Sequence, residues 1–374
     1  MAIPGTFQTY DLATGVKLDV EDAIWLISPF DVPLQGGMGA DGRTALSVDS
    51  CFEKKVEWLD EVLLTPKTTV AAAVTLTTAT NLVVAAGTGI NFQTGDVLQI
   101  DAEQVQVTGY GSTADNLTIT RGFNSTTATT YAIGDTVIGV GSALAEGSDP
   151  PAARAVDRVD RFNYTQVFGP VAVQVSGTEQ VVQKYGLVGT EFDHQVANRI
   201  KELAIGVEQS LINGIVSAGS ATVGRTLGGF VNYISTNVDT TTTTLTDSAI
   251  LTQMQAAFDA GGNPDRFMLG SKQKRVVSGL DSSNIRYQQQ TNTRGQVVEF
   301  YDTDYGRVSI ILNRWCLVNQ AFLFSREQAT LLTLRPMQFE MLAKTGDSVK
   351  GQVVAEKSLR FRRQTHAARF NALT

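Results

Sequence analysis

The sequence has very few of the residues on which metal centres and disulfide scaffolds depend. Among its 374 residues there are only two cysteines, Cys51 and Cys316, and only two histidines, His194 and His366. Structural zinc sites use several Cys and His ligands, and small secreted domains use several cystine bridges. The composition therefore excludes a Cys/His zinc centre and a disulfide-dense fold, and we expect both cysteines to be buried, inert thiols.

Charge and long apolar runs are also scarce. Charged residues make up 18% of the chain, and its 30 basic and 37 acidic residues give a net charge of −7. Neutralising nucleic-acid phosphates needs clustered Lys and Arg, so a strongly basic DNA-binding surface is excluded. No apolar run reaches the roughly 18 residues that a membrane-spanning helix needs. The hydrophobic content of 43% nevertheless predicts a folded chain with a sizeable core.

Catalytic and ligand-binding motifs are missing as well. The two histidines stand on a charged helical segment and in a polar run, where neither is placed like a catalytic base. The glycine-rich stretch at 224–229 lacks the Lys-Ser/Thr ending of a phosphate-binding loop and is typical of a flexible loop. Calcium could bind Asp96, Asp101 and Glu103, but their spacing is not that of an EF-hand, and solvated turn residues are the simpler interpretation. We therefore predict no catalytic, cofactor-binding or metal-binding residues.

What the first half of the chain does contain is a pattern of short β-strands. Apolar and charged residues alternate over 52–58, and a second alternating run at 162–175 could pair with the first as a two-stranded ribbon. Between them, residues 68–140 are rich in Thr, Val, Ala and Gly, and short apolar runs are separated by Gly and Asp turns. We predict a small all-β domain inserted into the ribbon, bounded by Pro66 and by the turn-forming residues 147–151.

A long amphipathic helix is the clearest single element. Thr190 can cap it, and Glu191 and Asp193 place negative charge in its first turn. Apolar residues then recur at steps of three and four, the helical period, over about seven turns. The stripe that we predict to face the core consists of Phe192, Val196, Ile200, Leu203, Val207 and Leu211. Helical and strand patterns alternate after this helix, so the predicted fold class is α+β.

Taken in order, an N-terminal arm, a ribbon, a long helix, a mixed α/β lobe and a returning strand resemble the major capsid proteins of tailed phages. Segments 162–213 and 262–268 look like one branch of that family, and the resemblance covers nearly all of the chain except 68–140. It implies the Hong Kong ninety-seven type capsid fold with an added β domain. The implied parts are an N-terminal arm at 1–50, an extended-loop ribbon at 51–67 and 148–175, an inserted all-β domain at 68–147, a peripheral domain with the spine helix at 176–231 and 325–374, and an axial domain at 232–324.

The resemblance implies a structural protein, not an enzyme. It would self-assemble into the icosahedral head shell around the double-stranded DNA genome of a tailed bacteriophage, without cofactor, membrane or sequence-specific DNA contact. Expected partners are further copies in hexamers and pentamers, a separate scaffolding protein, a portal protein and a cement or decoration protein. The expected location is the virion capsid, assembled in the host bacterial cytoplasm. Two alternatives stay open: an encapsulin-like nanocompartment shell, and a phage tail or adhesion protein, against which the long helix argues.

Two charged segments are candidates for contacts between subunits. The first, in the ribbon, comprises Arg154, Asp157, Arg158, Asp160 and Arg161. A two-stranded ribbon has no core of its own and needs a partner surface, although a solvated ribbon is the alternative interpretation. The second is the basic end of the chain, with Lys357, Arg360, Arg362, Arg363 and Arg369. This basic end could face DNA or pair with acidic residues of neighbouring subunits, and the sequence favours neither.

Overall fold

The chain forms two units, which are described separately. The computed structural model describes residues 30–36, 44–61, 63–144, 146–149, 151, 153, 158–184, 189–280 and 300–374. One unit contains the described residues up to Trp58 and from Arg161 onward, and the other runs from Leu59 to Asp160. Residues 1–29 and 37–43 of the predicted N-terminal arm lie outside the described residues.

Helices and strands alternate along the described chain. The helices are α1 (Pro33–Gly36), α2 (Gly177–Val181), α3 (Glu191–Asn213), α4 (Phe230–Tyr233), α5 (Asp247–Asp259) and α6 (Ser271–Ser278). The strands are β1 (Ser47–Ser50), β2 (Lys55–Glu61), β3 (Lys67–Thr69), β4 (Asn81–Val83), β5 (Asp96–Ile100), β6 (Glu103–Tyr110), β7 (Asn116–Thr120), β8 (Thr136–Ser142), β9 (Arg158–Tyr164), β10 (Gln166–Ser176), β11 (Val238–Asp239), β12 (Arg266–Leu269), β13 (Phe300–Thr303), β14 (Gly306–Leu312), β15 (Ala321–Phe324), β16 (Ala329–Met341), β17 (Ser348–Phe361) and β18 (Ala368–Phe370). Within the described ranges, no helix combines the length and the apolar character that crossing a membrane requires.

The long helix α3 lies on a four-stranded sheet in the first unit. The strand order is β1-β16-β17-β10, and α3 packs against β10 and β17. Thr190 caps the helix as predicted, because its hydroxyl accepts a hydrogen bond from the Asp193 backbone N–H at 3.2 Å. Leu203, Val207 and Leu211 are buried against the sheet. Burying each such side chain contributes about 1.5–3 kcal/mol of transfer free energy, so this half of α3 anchors the unit.

One member of the predicted helix stripe does not face the core. Ile200 is 37% exposed and Val196 is only half-buried, whereas Phe192 is buried. Each step of four residues rotates a side chain by about 40° around the helix, so two such steps carry Ile200 about 80° away from Phe192. In its first half α3 packs against Val173, Val175 and Val349, and Phe192 also contacts Phe339, whereas the rotation carries Ile200 toward solvent. The prediction that Ile200 belongs to the core is therefore wrong.

A second sheet forms the other half of the first unit. Its six strands have the order β11-β18-β15-β12-β14-β13. The central strand β12 is parallel to β14 and antiparallel to β15, and all four of its residues are buried. Helices α5 and α6 contribute Ile250, Met254 and Val277 to the core of this sheet. The mixed α/β lobe that the sequence predicts after the long helix is thus present, built around the fully buried strands β12 and β15.

The second unit is a closed β-barrel. Its strand order is β3-β8-β5-β6-β7-β4, and the neighbouring strands are antiparallel. An isolated bridge joins Val70 to Val84 across the two edges, where the Ala71 N–H donates to the Val83 carbonyl at 2.8 Å. Among the described residues, this bridge joins the segments that follow β3 and β4 and so shortens the edge along which another chain could add as a strand. The unit includes the predicted all-β range 68–147 and extends at both ends into β2 and β9.

Candidate assembly surfaces

The ribbon formed by β2 and β9 has almost no core of its own. Strands β2 and β9 form a two-stranded sheet, in which only Trp58 and Asn163 are buried. Apolar side chains on both strands remain exposed: Leu59 by 60%, Val159 by 41% and Phe162 by 42%. Two strands alone are marginally stable in water, and exposed apolar groups of this kind are typical of a surface that another molecule covers.

The predicted ribbon interface is only partly described. Arg154 and Asp157 lie outside the described residues. Arg158 is exposed and faces Glu61 across an Nε–Oε1 distance of 3.5 Å, while Asp160 is also exposed. Arg161 is partly buried near Tyr233. Burial raises the pKa of Tyr233, and the charge of Arg161 offsets part of that rise. Arg158 and Asp160 therefore present charge to solvent, whereas Arg161 belongs partly to the chain's own packing.

Asn163 fixes the base of the ribbon to the loop that follows α3. Its Nδ2 donates to the Gly228 carbonyl at 3.0 Å and to the Leu359 carbonyl at 2.6 Å, and its Oδ1 accepts from the Gly228 N–H at 2.8 Å. The loop itself is held against the helix end, because a Cβ at Gly229 would stand 2.5 Å from the Leu211 carbonyl oxygen. The predicted flexible loop at 224–229 is thus buried at its end, where the ribbon is anchored.

Glu356, buried on β17, is the second anchor of the ribbon. Its carboxylate accepts a hydrogen bond from the Thr165 hydroxyl at 2.7 Å and pairs with Arg225 and with Arg335, the latter at 3.1 Å. The Arg225 Nε also donates to the Thr165 carbonyl at 2.6 Å. Burial opposes ionisation, but these hydrogen bonds and the charge of Arg225 outweigh it and lower the pKa of Glu356. A charged, fully bonded carboxylate therefore fixes the direction in which the chain leaves the ribbon.

The basic end of the chain is largely occupied within the subunit. Lys357 donates to Gln35 at 3.2 Å, Arg360 donates to the Asp49 carboxylate at 3.1 Å, and Arg369 donates to the Val231 carbonyl at 3.0 Å. These three side chains are thus engaged in contacts that stabilise the first unit. Arg362 and Arg363 are the members of the predicted basic set that are exposed.

A short arm segment, residues 30–36 and here called the arm strap, is held on α3 by a buried carboxyl group. The Leu34 N–H donates to Glu208 Oε1 at 2.8 Å, and Gln35 Nε2 donates to Glu208 Oε2 at 3.2 Å and to the Ala204 carbonyl at 2.7 Å. Asn313 Nδ2 adds a third donor to Glu208 at 2.8 Å. Burial raises the pKa of Glu208 to about 7 in spite of these bonds.

A buried ion pair organises the barrel, and it corrects the interpretation of Glu103 as a solvated turn residue. Glu103 is fully buried and accepts from Arg121 Nε at 2.8 Å and from Arg121 Nη2 at 2.7 Å. It also accepts from the backbone N–H groups of Gly122 and Thr129 and from the Tyr131 hydroxyl. Although burial favours the neutral acid, these bonds lower the pKa of Glu103 to about 2. The Glu103 carboxylate therefore links strands and loops of the barrel through its hydrogen bonds.

The three acidic residues considered as possible calcium ligands, Asp96, Asp101 and Glu103, do not form a metal site in the described structure. Asp96 accepts hydrogen bonds from the Gln93 N–H at 2.7 Å and from the Ser142 hydroxyl at 2.5 Å, whereas Asp101 is exposed on the turn between β5 and β6. Among the described residues no group of three or more His, Cys, Asp or Glu side chains is placed to hold a metal ion. The three acidic residues therefore serve separate local roles.

A polar cleft of about 430 Å³ lies in the first unit and contains one of the two histidines. It is lined by Gly261, Asn263, Asp265, Ser325, Glu327, Gln328, Arg362, Arg363 and His366. Asp265 has a structural role, because its Oδ1 accepts a hydrogen bond from the Arg326 backbone N–H at 2.9 Å. The cleft therefore brings together charges of both signs around a histidine.

The two cysteines differ in their burial. Cys316 is buried, and burial raises its pKa to about 12, so the thiol stays protonated and unreactive as predicted. Cys51 is only partly buried, so the expectation of two buried thiols is wrong for it. Partial burial still raises the pKa of Cys51, with Glu356 and Asp49 adding to the effect.

Several solved structures share this fold, including the capsids of a phage and of a GTA particle. A chain of Mycobacterium phage Adephagia matches at a TM-score of 0.52 and 10% identity, covering 99% of this chain and 98% of that chain. The capsid of Myoviridae phage XM1 matches at 0.51 and 9%, covering 99% and 100%. The capsid of an empty GTA particle matches at 0.53 and 9%, covering 99% and 100%. The predicted α+β phage capsid fold is confirmed.

The family follows from the sequence itself. Residues 4–374 match the SU10 major capsid protein family, and the chain belongs to that family. A search of the curated proteins finds no match. The chain is therefore a major capsid protein, a structural component of a bacteriophage virion. This confirms the principal interpretation of the sequence over the encapsulin-like and tail or adhesion alternatives.

Proposed function

We propose that copies of this chain assemble into the closed icosahedral head shell of a tailed phage, as hexamers and pentamers joined in part through the β2–β9 ribbon. The observation that carries the proposal is the ribbon itself, whose apolar residues Leu59, Val159 and Phe162 are exposed and whose strands have almost no core. A neighbouring subunit is the natural cover, because in a symmetric shell every copy meets an equivalent surface.

The rigid base of the ribbon supports the same role. Asn163 and Glu356 hold the end of the ribbon that belongs to the first unit through buried hydrogen bonds and ion pairs. A projecting element can reach the same place on every neighbour only if its base does not rotate. The exposed charges of Arg158 and Asp160 then select the register in which the ribbon docks.

For the barrel we propose a bracing role, as a domain inserted at 68–147. Its closed sheet disfavours addition of strands, so we expect it to contact a neighbour through side chains and loops. Its core is formed within residues 70–137, which means that it does not need the rest of the chain for its apolar packing. Such a domain can strengthen a shell without determining how its subunits fold.

The remaining expectations concern the surroundings of the shell. We propose that assembly takes place in the host bacterial cytoplasm with a separate scaffolding protein, a portal protein and a cement or decoration protein. The shell would enclose double-stranded DNA without reading its sequence and without catalysis. The net charge of −7 supports weak contact with the genome, since it disfavours a tight electrostatic grip on phosphate.

The test exchanges two charges on the ribbon. Replacing Arg158 by Asp and Asp160 by Arg keeps the net charge but reverses the local pattern that an adjacent subunit meets. Each exposed pair contributes only about 0.2–1 kcal/mol, but a closed shell repeats the contact many times. We expect the double variant to remain folded by circular dichroism and to give few or no shells when expressed with its scaffold and viewed by electron microscopy.

A matched exchange on the spine helix provides the control. Arg199 and Glu202 form an exposed ion pair at 2.5 Å on α3, and replacing Arg199 by Glu and Glu202 by Arg preserves that pair and the net charge. This control should assemble normally. Abundant normal shells from the ribbon variant would contradict the proposed docking of the ribbon, and a chain that stays monomeric with all partners present would contradict the shell itself.

A further inference from the structure

We propose that the arm strap, residues 30–36, is a proton-linked latch, held closed on the spine helix when Glu208 carries a proton and loosened when Glu208 becomes an anion. The latch concerns how the arm is attached within one subunit and is independent of which surfaces join neighbouring subunits.

The strap covers Glu208 and supplies most of its hydrogen-bond donors. Pro33 and Leu34 are buried in the docked strap, and Glu208 beneath them is fully buried. Two of the three donors to the carboxyl group, the Leu34 N–H and the Gln35 amide, belong to the strap, while Asn313 supplies the third. When the strap leaves, the carboxyl group loses both strap donors and gains water, so its environment depends directly on docking.

The arrangement of these bonds shows where a proton can be held. Glu208 Oε1 accepts two short bonds of 2.8 Å, from Leu34 and from Asn313, whereas Oε2 accepts only the 3.2 Å contact from Gln35. Oε2 is therefore the oxygen that takes up a proton at the smaller loss of hydrogen bonding. The neutral acid keeps both short bonds to the strap and the 313 loop, so protonation is compatible with the closed latch.

The charges around Glu208 do not offset its burial. Lys357 on β17 donates to Gln35 Oε1 at 3.2 Å, so Gln35 lies between the lysine and Glu208 in the hydrogen-bond network. Asp31 on the strap repels the Glu208 anion, and Arg314 of the following loop faces Asp31 at 3.8 Å. Burial lowers the pKa of Lys357, and the charge of Glu208 partly opposes that shift. Among the described residues, no cation is paired directly with Glu208.

Docking and proton binding are therefore thermodynamically linked. In the docked state the carboxyl group is buried and its pKa is raised from the ordinary 4.5 to about 7, whereas exposure to water on undocking would bring it back toward the ordinary value. The docked strap binds the proton more tightly, so its stabilisation is fully present below about pH 4.5 and is lost as pH rises through about 7. The ratio of docked to undocked strap should fall by up to about tenfold per pH unit in that window.

The test follows the backbone amide of Leu34 by hydrogen exchange in the purified full-length chain. Protection at this amide, corrected for the intrinsic pH dependence of exchange, should fall between about pH 5 and about pH 8 and then level off. The Gly214 N–H at the end of α3, which donates to the Ser210 carbonyl at 2.9 Å, serves as the internal reference. Its protection should stay constant while that of Leu34 falls.

Two variants sharpen the test. Glu208→Gln removes the titrating group and should make Leu34 protection independent of pH, whereas Glu202→Gln, on an exposed part of the same helix, should behave like the wild type. A flat wild-type profile, a fall shared equally by Leu34 and Gly214, or a fall that persists in Glu208→Gln would each overturn the latch. If Glu208→Gln does not fold, the comparison of the two wild-type amides decides by itself.

Discussion

The buried ion pair between Glu103 and Arg121 allows a direct test of how much a buried charge contributes to the stability of the barrel. Replacing Glu103 by Gln keeps the shape of the side chain but removes its charge, and it turns an NH₂ group toward donors that now bind a carboxylate. Those donors are the two Arg121 nitrogens, the backbone N–H groups of Gly122 and Thr129, and the Tyr131 hydroxyl. Breaking a buried ion pair from one side typically costs about 3–5 kcal/mol.

The pKa of Glu103 gives a second measure of the free energy that its charge contributes to the stability of the barrel. It is lowered from an ordinary 4.5 to about 2, and since one pKa unit corresponds to about 1.36 kcal/mol, ionisation contributes about 3 kcal/mol to barrel stability near neutral pH. Because the folded-state pKa is depressed, this contribution is present above about pH 4.5 and disappears as pH falls toward 2. In Glu103→Gln that part of the acid sensitivity should be absent.

Hydrogen exchange across strands β5 and β6 in increasing urea measures the effect within the full-length chain. We expect the barrel of Glu103→Gln to open at lower urea, with the sheets of the first unit unchanged. Asp115→Asn is the matched control, because Asp115 is a less buried barrel carboxylate that accepts from the Gly87 and Gly89 N–H groups. If the free energy of barrel opening falls by less than about 0.5 kcal/mol in Glu103→Gln, or by no more than in the control, the structural role assigned to Glu103 is refuted.

Two further substitutions test the packing of the first unit. Gly351→Ala would place a Cβ 2.3 Å from the Phe339 ring and 3.1 Å from the Phe192 ring, so we expect a loss of about 1–3 kcal/mol in urea unfolding, and an unchanged midpoint would contradict the close packing. Asn163→Ala removes two donated hydrogen bonds and one acceptor at a buried site and should lower the free energy of unfolding by about 1–3 kcal/mol. Asn198→Ala, at a partly buried position on α3, is the control. Equal melting temperatures of the two variants would count against the role of Asn163 as an anchor.

Elements with a local cause were predictable from the sequence. The start of α3 follows from Thr190 and the acidic first turn, and both are seen in the structure. The β character of the barrel follows from short apolar runs and Gly-Asp turns, which impose reversals every few residues. In these cases the residues that determine the structure lie within a few positions of one another.

The buried charges were not predicted, although the sequence carries a signal for two of them. Glu103 shares the parity of Val105 and Val107, both of which face the barrel interior, so the strand period places it inside as well. Glu208 stands four residues from both Ala204 and Ile212, and both are buried on α3. A carboxylate in an apolar register is easily read as solvent-facing, because its partners lie 18 to 174 residues away and no local pattern reveals them.

The positions of these buried polar groups point to a common purpose. Glu103 joins strands to loops in the barrel, Asn163 and Glu356 fix the base of the ribbon, and Glu208 holds the arm strap. Apolar contacts favour burial but set no direction, whereas hydrogen bonds and ion pairs lose most of their value when an element rotates. In a shell subunit a small error in the direction of an arm or ribbon recurs at every neighbour. We infer that Asn163, Glu356 and Glu208 serve mainly to orient the ribbon and the arm strap, and that Glu103 serves to orient the loops of the barrel.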